Sequence, residues 1–136
     1  MQIDPYLNFS GDCEEAFKFY EQCLGGKIEF KMTHGESPMA GQFPPEWSGK
    51  IMHISMRVGD RMLLGSDAPP QYYHKPQGLT VSISVNDVAE ADRIFAALAD
   101  KGNVTMPIAQ TFWSPKFGMV TDRFGIPWMV NTVQPA

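Results

Sequence analysis

The feature that most constrains this chain is a helical pattern that occurs twice. Between Ser10 and Gly26, apolar side chains recur at helical spacing, Asp12 and Glu15 have the spacing of a capping box, and two glycines follow the last apolar position. The same order of an aspartate, a glutamate and an apolar stripe begins again at Asp87. The stripe of the first helix consists of Cys13, Ala16, Phe17, Tyr20, Cys23 and Leu24. A repeated helix with one apolar face predicts a duplicated module around a shared type of core.

Alternation and turn residues predict four strands around the first helix. The pattern places them at residues 3–9, 27–33, 50–58 and 61–65. Gly59 and Asp60 supply the tight turn of a hairpin between the last two. Residues 34–49 are rich in glycine and proline, which disfavour regular structure. A loop of this length is typical of a lid, a binding loop or a disordered segment, and the sequence leaves these three open.

The order of elements repeats after a proline-rich connector at residues 67–78. The second helix is predicted from Asp87 to near Gly102. Strands are predicted at residues 79–85, 104–112, 117–121 and 126–132. Each half is a βαβββ unit, so the sequence predicts one α+β domain made of two modules, residues 1–66 and 79–136.

Composition limits the range of partners. The chain has 136 residues, 43% of them hydrophobic, and a net charge of −4, which argues against binding nucleic acid or anionic membranes through bulk electrostatics. No apolar run approaches the ~20 residues of a membrane span, and the first residues lack a signal-peptide pattern. Cys13 and Cys23 lie about 15 Å apart on one helix, too far for a disulfide. We therefore expect a soluble, cytoplasmic protein.

The alternation of side chains along two strands separates a core face from a polar face. In residues 50–58, the apolar set is Met52, Ile54, Met56 and Val58, and the opposite set is His53, Ser55 and Arg57. In residues 79–85, the apolar set is Val81, Ile83 and Val85, and the opposite set is Thr80, Ser82 and Ser84. Both modules therefore present hydroxyl-bearing residues on the face away from the helix.

This arrangement resembles the vicinal oxygen chelate superfamily, which includes glyoxalase I, bleomycin resistance proteins and extradiol dioxygenases. Four stretches resemble its PhnB-like (YjdN-type) branch: "PYLNFSGDCEEAFKFY", "HGESP", "KIMHISMRVGDRMLLGSDA" and "FWSPKFGMVTDRFGIPWMVN". The resemblance implies the glyoxalase-like fold, with curved mixed sheets, helices on the convex face and ligands on the concave face. It also implies a homodimer, which the exposed sheet edges of each module favour.

The metal site usual in this superfamily has no counterpart in the matching residues. Its members commonly hold a divalent cation through His and Glu side chains from the first and last strands of each module. Matching through "GD" before the first helix, "SVND" and the last hairpin places three ligand positions on Pro5, Thr80 and Met129. The fourth falls near Gly65, where no carboxylate or imidazole stands. Since these side chains are poor ligands for such a cation, we expect no metal cofactor.

The expected ligand cup is lined by hydroxyls, one imidazole and one guanidinium. Arg57 offers fixed donors to a carboxylate, phosphonate or phosphate oxygen, and His53 is the candidate catalytic acid or base. The predicted substrate-binding residues are Ser55, Arg57, Thr80, Ser82, Trp47, Trp113, Met129 and Asn131. Trp128 is assigned to the core. The alternative for His53 and Arg57 is a place at a dimer seam or on a solvated sheet face.

Three histidines could in principle form a different metal site. His34, His53 and His74 are far apart in sequence and lack the spacing of a metal-binding pair, so isolated polar or core histidines are the alternative. The sequence keeps this question open.

Two functions from different classes are compatible with these residues. One is a metal-independent enzyme of the lyase, isomerase or transferase type, with His53, Arg57 and a lid from residues 34–50. The other is a non-catalytic binding protein, resembling antibiotic-sequestering members, with a pocket lined by Trp47, Trp113 and Tyr72 or Tyr73. Some members of this branch carry a demethylubiquinone methyltransferase label, which no glycine-rich cofactor motif in this chain supports.

Overall fold

The computed structural model describes residues 1–133, which form two compact units. The first unit contains β1 (Tyr6–Phe9), α1 (Cys13–Leu24), β2 (Lys27–Thr33), β3 (Ile51–Val58) and β4 (Arg61–Asp67). The second contains β5 (Val81–Val85), α2 (Val88–Ala99), β6 (Asn103–Ala109), β7 (Phe117–Thr121) and β8 (Pro127–Thr132). The first unit is Met1–His74, and the second begins at Lys75, so the boundary lies inside the predicted connector.

Each unit is a four-stranded mixed sheet with one helix. The first sheet has the order β1-β4-β3-β2 and the second has the order β5-β8-β7-β6. In both sheets the first strand of the unit runs parallel to its last strand, and the other neighbours are antiparallel. The predicted α+β fold of two βαβββ modules is confirmed.

Both helices bury the predicted apolar stripe, except that Leu24 at the end of α1 is half-buried. In α1 the buried residues are Cys13, Ala16, Phe17, Tyr20 and Cys23, and in α2 they are Ala91, Ile94, Phe95 and Leu98. Helix α1 ends as predicted at Gly25, which has a φ of 72° and donates its N–H to the carbonyl oxygen of Glu21. Neither helix in residues 1–133 is long and apolar enough to cross a membrane.

The predicted capping interactions hold for α2 and fail for α1. The Asp87 side chain accepts from the backbone N–H of Glu90 at 3.2 Å. The Asp12 side chain makes no such bond at the start of α1, so the predicted Asp12–Glu15 capping box is wrong. A capping box is instead formed by Thr33 and Glu36, at the end of β2. The start of α1 is held from elsewhere in the unit.

That anchor is Asp67, a buried carboxylate at the end of β4. Its Oδ1 accepts from the backbone N–H groups of Gly11 at 2.8 Å and Cys13 at 3.0 Å, and its Oδ2 accepts from the N–H of Ile51 at 2.8 Å. The side chain is 2% exposed. A negative charge at a helix N-terminus also interacts favourably with the helix dipole. One side chain thus joins the starts of α1 and β3 to the end of β4.

The second unit uses two other buried polar residues for similar connections. The Ser114 hydroxyl lies 2.7 Å from the carbonyl oxygens of Lys116 and Thr132. In the β7–β8 hairpin, the Asp122 carboxylate accepts from two backbone N–H groups of its own turn and from Nε1 of Trp128 at 2.8 Å. Trp128 is 1% exposed, which confirms its assignment to the core.

Several strand limits differ from the predicted ones. Strand β1 begins at Tyr6, after Pro5, and β4 continues to Asp67. Strand β5 begins at Val81 because Gly78 turns the chain with a φ of 80° and Leu79 is exposed. Strand β6 covers Asn103–Ala109 and stops before the predicted end at residue 112. Strands β2 and β7 have the predicted limits.

The segment 34–50 has more structure than its composition predicts. It contains three short 3-10 turns, His34–Glu36, Ala40–Gln42 and Pro45–Trp47. Its ends are joined by backbone bonds from the N–H of His34 to the carbonyl of Lys50 at 2.8 Å and from Gly35 to Ser48 at 2.9 Å. His34 is buried, and its Nε2 donates to the carbonyl oxygen of Asp67 at 3.1 Å. The segment is therefore anchored to the same corner as α1.

We expect replacement of Asp67 by alanine to lower the free energy of unfolding by about 3 kcal/mol or more, because each buried N–H left without a partner costs about 1–3 kcal/mol. Asparagine, which has one acceptor oxygen, should give an intermediate loss. Urea unfolding measures both effects.

Asp60→Ala is the matched control for this experiment. The Asp60 side chain is 94% exposed in the β3–β4 turn, so its loss should change the free energy of unfolding by about 0.5 kcal/mol or less. Equal losses for Asp60→Ala and Asp67→Ala would contradict the anchoring role of Asp67.

Candidate functional site

The two faces of β3 have the chemistry that the sequence predicts. Ile54 and Met56 are fully buried on the face that packs against α1. Met52 and Val58, which the sequence assigns to the same face, are only half-buried. His53 and Ser55 are half-buried and Arg57 is exposed. The face of the first sheet that carries His53, Ser55 and Arg57 is called the first open face below.

A row of side chains crosses this first open face over all four strands. Tyr6 pairs with Leu64, Leu64 pairs with Ser55, and Ser55 pairs with Phe30. Tyr6 and Phe30 are 45% and 47% exposed, although both are aromatic. The small Ser55 side chain lies between larger ones in this row. The arrangement offers apolar contact area around one hydroxyl.

His53 makes contact with both aromatic residues of this row. Its Nδ1 is hydrogen-bonded to the Oη of Tyr6 at 3.1 Å. The ring centroid of His53 lies 5.7 Å from that of Tyr6 and 6.1 Å from that of Phe30. Among residues 1–133, the His53 ring makes no second hydrogen bond. Its Nε2 is not one of the buried polar atoms that lack a hydrogen-bond partner. The imidazole therefore has one fixed edge and one edge available to a ligand.

Arg57 already has an acidic partner on the neighbouring strand. Its Nε donates to Glu29 Oε2 at 2.8 Å, and Nη2 lies 3.4 Å from Oε1. The Arg57 guanidinium lowers the pKa of Glu29 and the carboxylate raises the pKa of Arg57, both chiefly through this hydrogen bond. The pair is therefore fully charged at neutral pH, and an external anion has to compete with Glu29 for Arg57.

The spacing of Arg57 and His53 limits a ligand that touches both. The two residues are four positions apart on one strand, which corresponds to about 13 Å between their Cα atoms at ~3.3 Å per residue. Ser55 lies between them on the same face. A molecule that contacts both side chains therefore has to extend along the strand past Ser55.

The second sheet presents a neutral face opposite α2. Ser82 pairs with Met129, and Met129 pairs with Met119, which in turn pairs with Met106. Asn131 pairs with Ser84 and Phe117 in the next row. Ser82 is exposed, whereas Met129 and Asn131 are half-buried, and Thr80 precedes the strand. Ser82, Met129 and Asn131 thus share one face of the second unit, and none of these predicted binding residues is charged.

The predicted rim tryptophans have different surroundings. Trp47 packs against His34, with ring centroids 6.1 Å apart, and its Nε1 is buried without a partner. Trp113 is 48% exposed and lies between Phe112 and Phe117, at 4.7 Å and 5.3 Å. Trp113 is therefore the more exposed of the two, and Trp47 is half-buried.

The three histidines belong to separate environments. His34 is buried at the Asp67 corner, His53 lies on the first open face and His74 is exposed in the connector. Within residues 1–133 no group of three or more His, Cys, Asp or Glu side chains has the geometry to hold a metal ion. At Cys13, burial followed by the Asp67 carboxylate raises the pKa of the thiol, so this residue is an apolar core residue at neutral pH.

Sequence reasoning missed Tyr6, Phe30 and Glu29. Strand alternation alone places Tyr6 on the face opposite the buried Leu7 and Phe9, which was a usable signal. Phe30 and Glu29 could not be assigned, because register shifts interrupt the pairing of β2 with β3 on either side of Phe30.

Three known proteins are similar to this chain over nearly its whole length. Protein YjdN of Escherichia coli K12 is 36% identical over 142 residues, covering 98% of this chain and 97% of YjdN. The crystal structure of protein PA1353 from Pseudomonas aeruginosa has a TM-score of 0.90 and 48% identity, with 99% of each chain covered. The PhnB protein of Bacillus cereus has a TM-score of 0.79 at 22% identity, covering 98% of this chain and all of that chain, which shows the shared fold.

The family model described as the glyoxalase/bleomycin resistance protein/dioxygenase superfamily matches residues 2–130. Together with the relatives above, this match shows that the chain belongs to that superfamily, in its PhnB-like (YjdN-type) branch.

Proposed function

We propose that this protein binds a small, elongated organic molecule on the first open face without a divalent metal, and that acidic molecules are among its ligands. The observation that carries the proposal is the cluster of Tyr6, His53 and Phe30 around Ser55. It combines exposed aromatic area, which favours an apolar ligand body, with an imidazole edge that can hydrogen-bond.

Arg57 would bind the acidic end of such a ligand. Its guanidinium lies on the same strand and face as His53, and a planar guanidinium binds carboxylate or phosphonate oxygens through parallel bonds. In the structure, this guanidinium is hydrogen-bonded to the Glu29 carboxylate. A ligand acid would therefore replace one anion by another, which requires no new buried charge.

The donor chemistry supports binding without a metal. Pro5 has no donor atom in its side chain, Thr80 offers a hydroxyl and Met129 offers a thioether. Divalent cations such as Zn²⁺ and Mn²⁺ prefer imidazole, carboxylate and thiolate ligands. These residues do not fit the cation, and no step of the proposed function passes through one.

The main alternative is a non-catalytic sequestering protein that uses the second unit. The observation in its favour is the aromatic pair Phe112 and Trp113, which are 94% and 48% exposed and which lie beside the half-buried Phe117. Such rings can stack on a flat ligand without any proton transfer. The neutral face with Thr80, Ser82, Met129 and Asn131 would continue this surface.

We expect the anion 4-acetylbenzoate to bind the wild-type protein more tightly than its neutral amide, 4-acetylbenzamide. Arg57→Met should remove this preference, because methionine keeps an apolar stem and lacks the guanidinium donors. Glu29→Gln should increase it, because the competing carboxylate is gone. Isothermal titration calorimetry of the wild type, Arg57→Met and Glu29→Gln with both compounds measures this preference.

Arg61→Met is the matched control for Arg57→Met, since the Arg61 side chain is 85% exposed at the β3–β4 turn. It should leave the preference for the anion unchanged. An equal effect of both arginine variants would mean that general charge, and not the first open face, attracts the anion.

We expect added Zn²⁺, Ni²⁺ or Mn²⁺ to leave the melting temperature unchanged, since specific binding to the folded state would raise it. Differential scanning fluorimetry with and without chelator tests this. A stoichiometric, chelator-sensitive metal in the purified protein would overturn the metal-free proposal.

We further propose that the protein is a cytoplasmic homodimer. Strands β2 and β6 are edge strands, and most of their residues are exposed. Sedimentation at micromolar concentration should therefore return about twice the chain mass of 15.2 kDa. A single species with the mass of one chain would contradict the proposed dimer.

A further inference from the structure

We infer that Tyr6 is a positioning residue that holds His53 in the tautomer with its proton on Nε2, so that the first open face selects ligands carrying an acceptor oxygen. The inference deepens the proposed function and depends on it for the ligand. Its central claim, the tautomer, concerns only the hydrogen bond between Tyr6 and His53. It can therefore be tested without any ligand.

The hydrogen bond between Tyr6 Oη and His53 Nδ1, which are 3.1 Å apart, has a favoured direction. A neutral imidazole has one N–H and one nitrogen lone pair, and a phenol has one O–H. The lone pair of the imidazole nitrogen is the better acceptor, because the phenolic oxygen shares its electrons with the ring. The phenol O–H is also far more acidic than the imidazole N–H. The favoured arrangement is therefore O–H donating to Nδ1, which leaves the ring proton on Nε2.

Two neighbouring aromatic rings and the hydrogen bond to Tyr6 favour this orientation of the His53 ring. The His53 ring lies within 5.7 Å of the Tyr6 ring and 6.1 Å of the Phe30 ring, centroid to centroid. A half-turn of the imidazole would take Nδ1 away from the hydroxyl and break this hydrogen bond. No charged side chain is in hydrogen-bond contact with His53 among residues 1–133, so no carboxylate favours the other tautomer.

The proton on Nε2 determines which ligand groups His53 can bind. An Nε2–H edge donates a hydrogen bond, so it favours a carbonyl, carboxylate or phenolic oxygen and offers no lone pair to remove a proton. A neutral imidazole N–H that polarises a carbonyl is an established catalytic arrangement. In the resting state His53 would thus act as a donor, and not as the general base that the sequence left open. With Arg57 on the same strand, the favoured ligand is an acid with a second oxygen at its far end.

The tautomer is measured by ¹⁵N NMR of the full chain labelled at histidine, at about pH 9, above the ordinary imidazole titration range. For His53, assigned from the spectrum of His53→Gln, we expect a pyrrole-type shift at Nε2 and a pyridine-type shift at Nδ1. Tyr6→Phe keeps the ring and removes the hydroxyl, so both shifts should move toward the average of exchanging tautomers.

Tyr72→Phe is the matched control, since Tyr72 is 68% exposed and lies outside the strands of the first sheet. It should leave both His53 shifts unchanged. A pyrrole-type shift at Nδ1 in the wild type, averaged shifts in the wild type, or identical shifts in Tyr6→Phe would each overturn the inference.

The ligand preference is tested with two probes that differ by one atom group. The probe 4-acetylbenzoate carries a carbonyl oxygen where 4-isopropenylbenzoate carries a CH₂ group. We expect the acetyl compound to bind about three- to tenfold more tightly, the range of one net hydrogen bond, and Tyr6→Phe to reduce this ratio. Equal affinities would overturn the acceptor selectivity, whereas failure of both probes to bind would count against the proposed function and leave the NMR result to decide the tautomer.

Discussion

The first unit depends on the buried carboxylate of Asp67. Three backbone N–H groups, from Gly11, Cys13 and Ile51, converge on its two oxygens. Since these groups open α1 and β3, one side chain fixes where the helix starts and how β3 enters the sheet. His34 adds the long segment to the same corner through the Asp67 carbonyl. The placement of His53, Ser55 and Arg57 on β3 follows from this anchor, although Asp67 itself lies on the opposite, helix-packed side.

The two sheets are alike in topology and different in surface chemistry. The first open face carries an imidazole, a guanidinium and a carboxylate, whereas the corresponding face of the second sheet carries thioethers, hydroxyls and an amide. The two units share their strand order and helix position, and these features bury the apolar core of each unit. The faces that make no core contacts are free to differ, and this is where a family with one fold acquires different ligands.

Family membership explains the fold more fully than it explains function. A match over residues 2–130 places the chain in a superfamily whose description already names glyoxalases, resistance proteins and dioxygenases. The distinction between these activities lies in a few side chains on each sheet face. On the first open face of this chain, the hydrogen bond between Tyr6 and His53 leads to a testable statement about which ring nitrogen meets a ligand.

The sequence by itself determined the duplicated module, both helices, most of the strands, the two faces of β3 and the core position of Trp128. These features depend on local spacing, since a period of 3.6 or 2 residues is written directly into the order of side chains. Only the tertiary structure decided that Asp67 and not Asp12 holds the start of α1, that Glu29 occupies Arg57, that Trp47 packs on His34, and that Tyr6 binds His53. Each of these is a contact between residues distant in the chain or on strands whose register is shifted by bulges. No pattern within one segment specifies such a partner, because it depends on which strands become neighbours in the sheet.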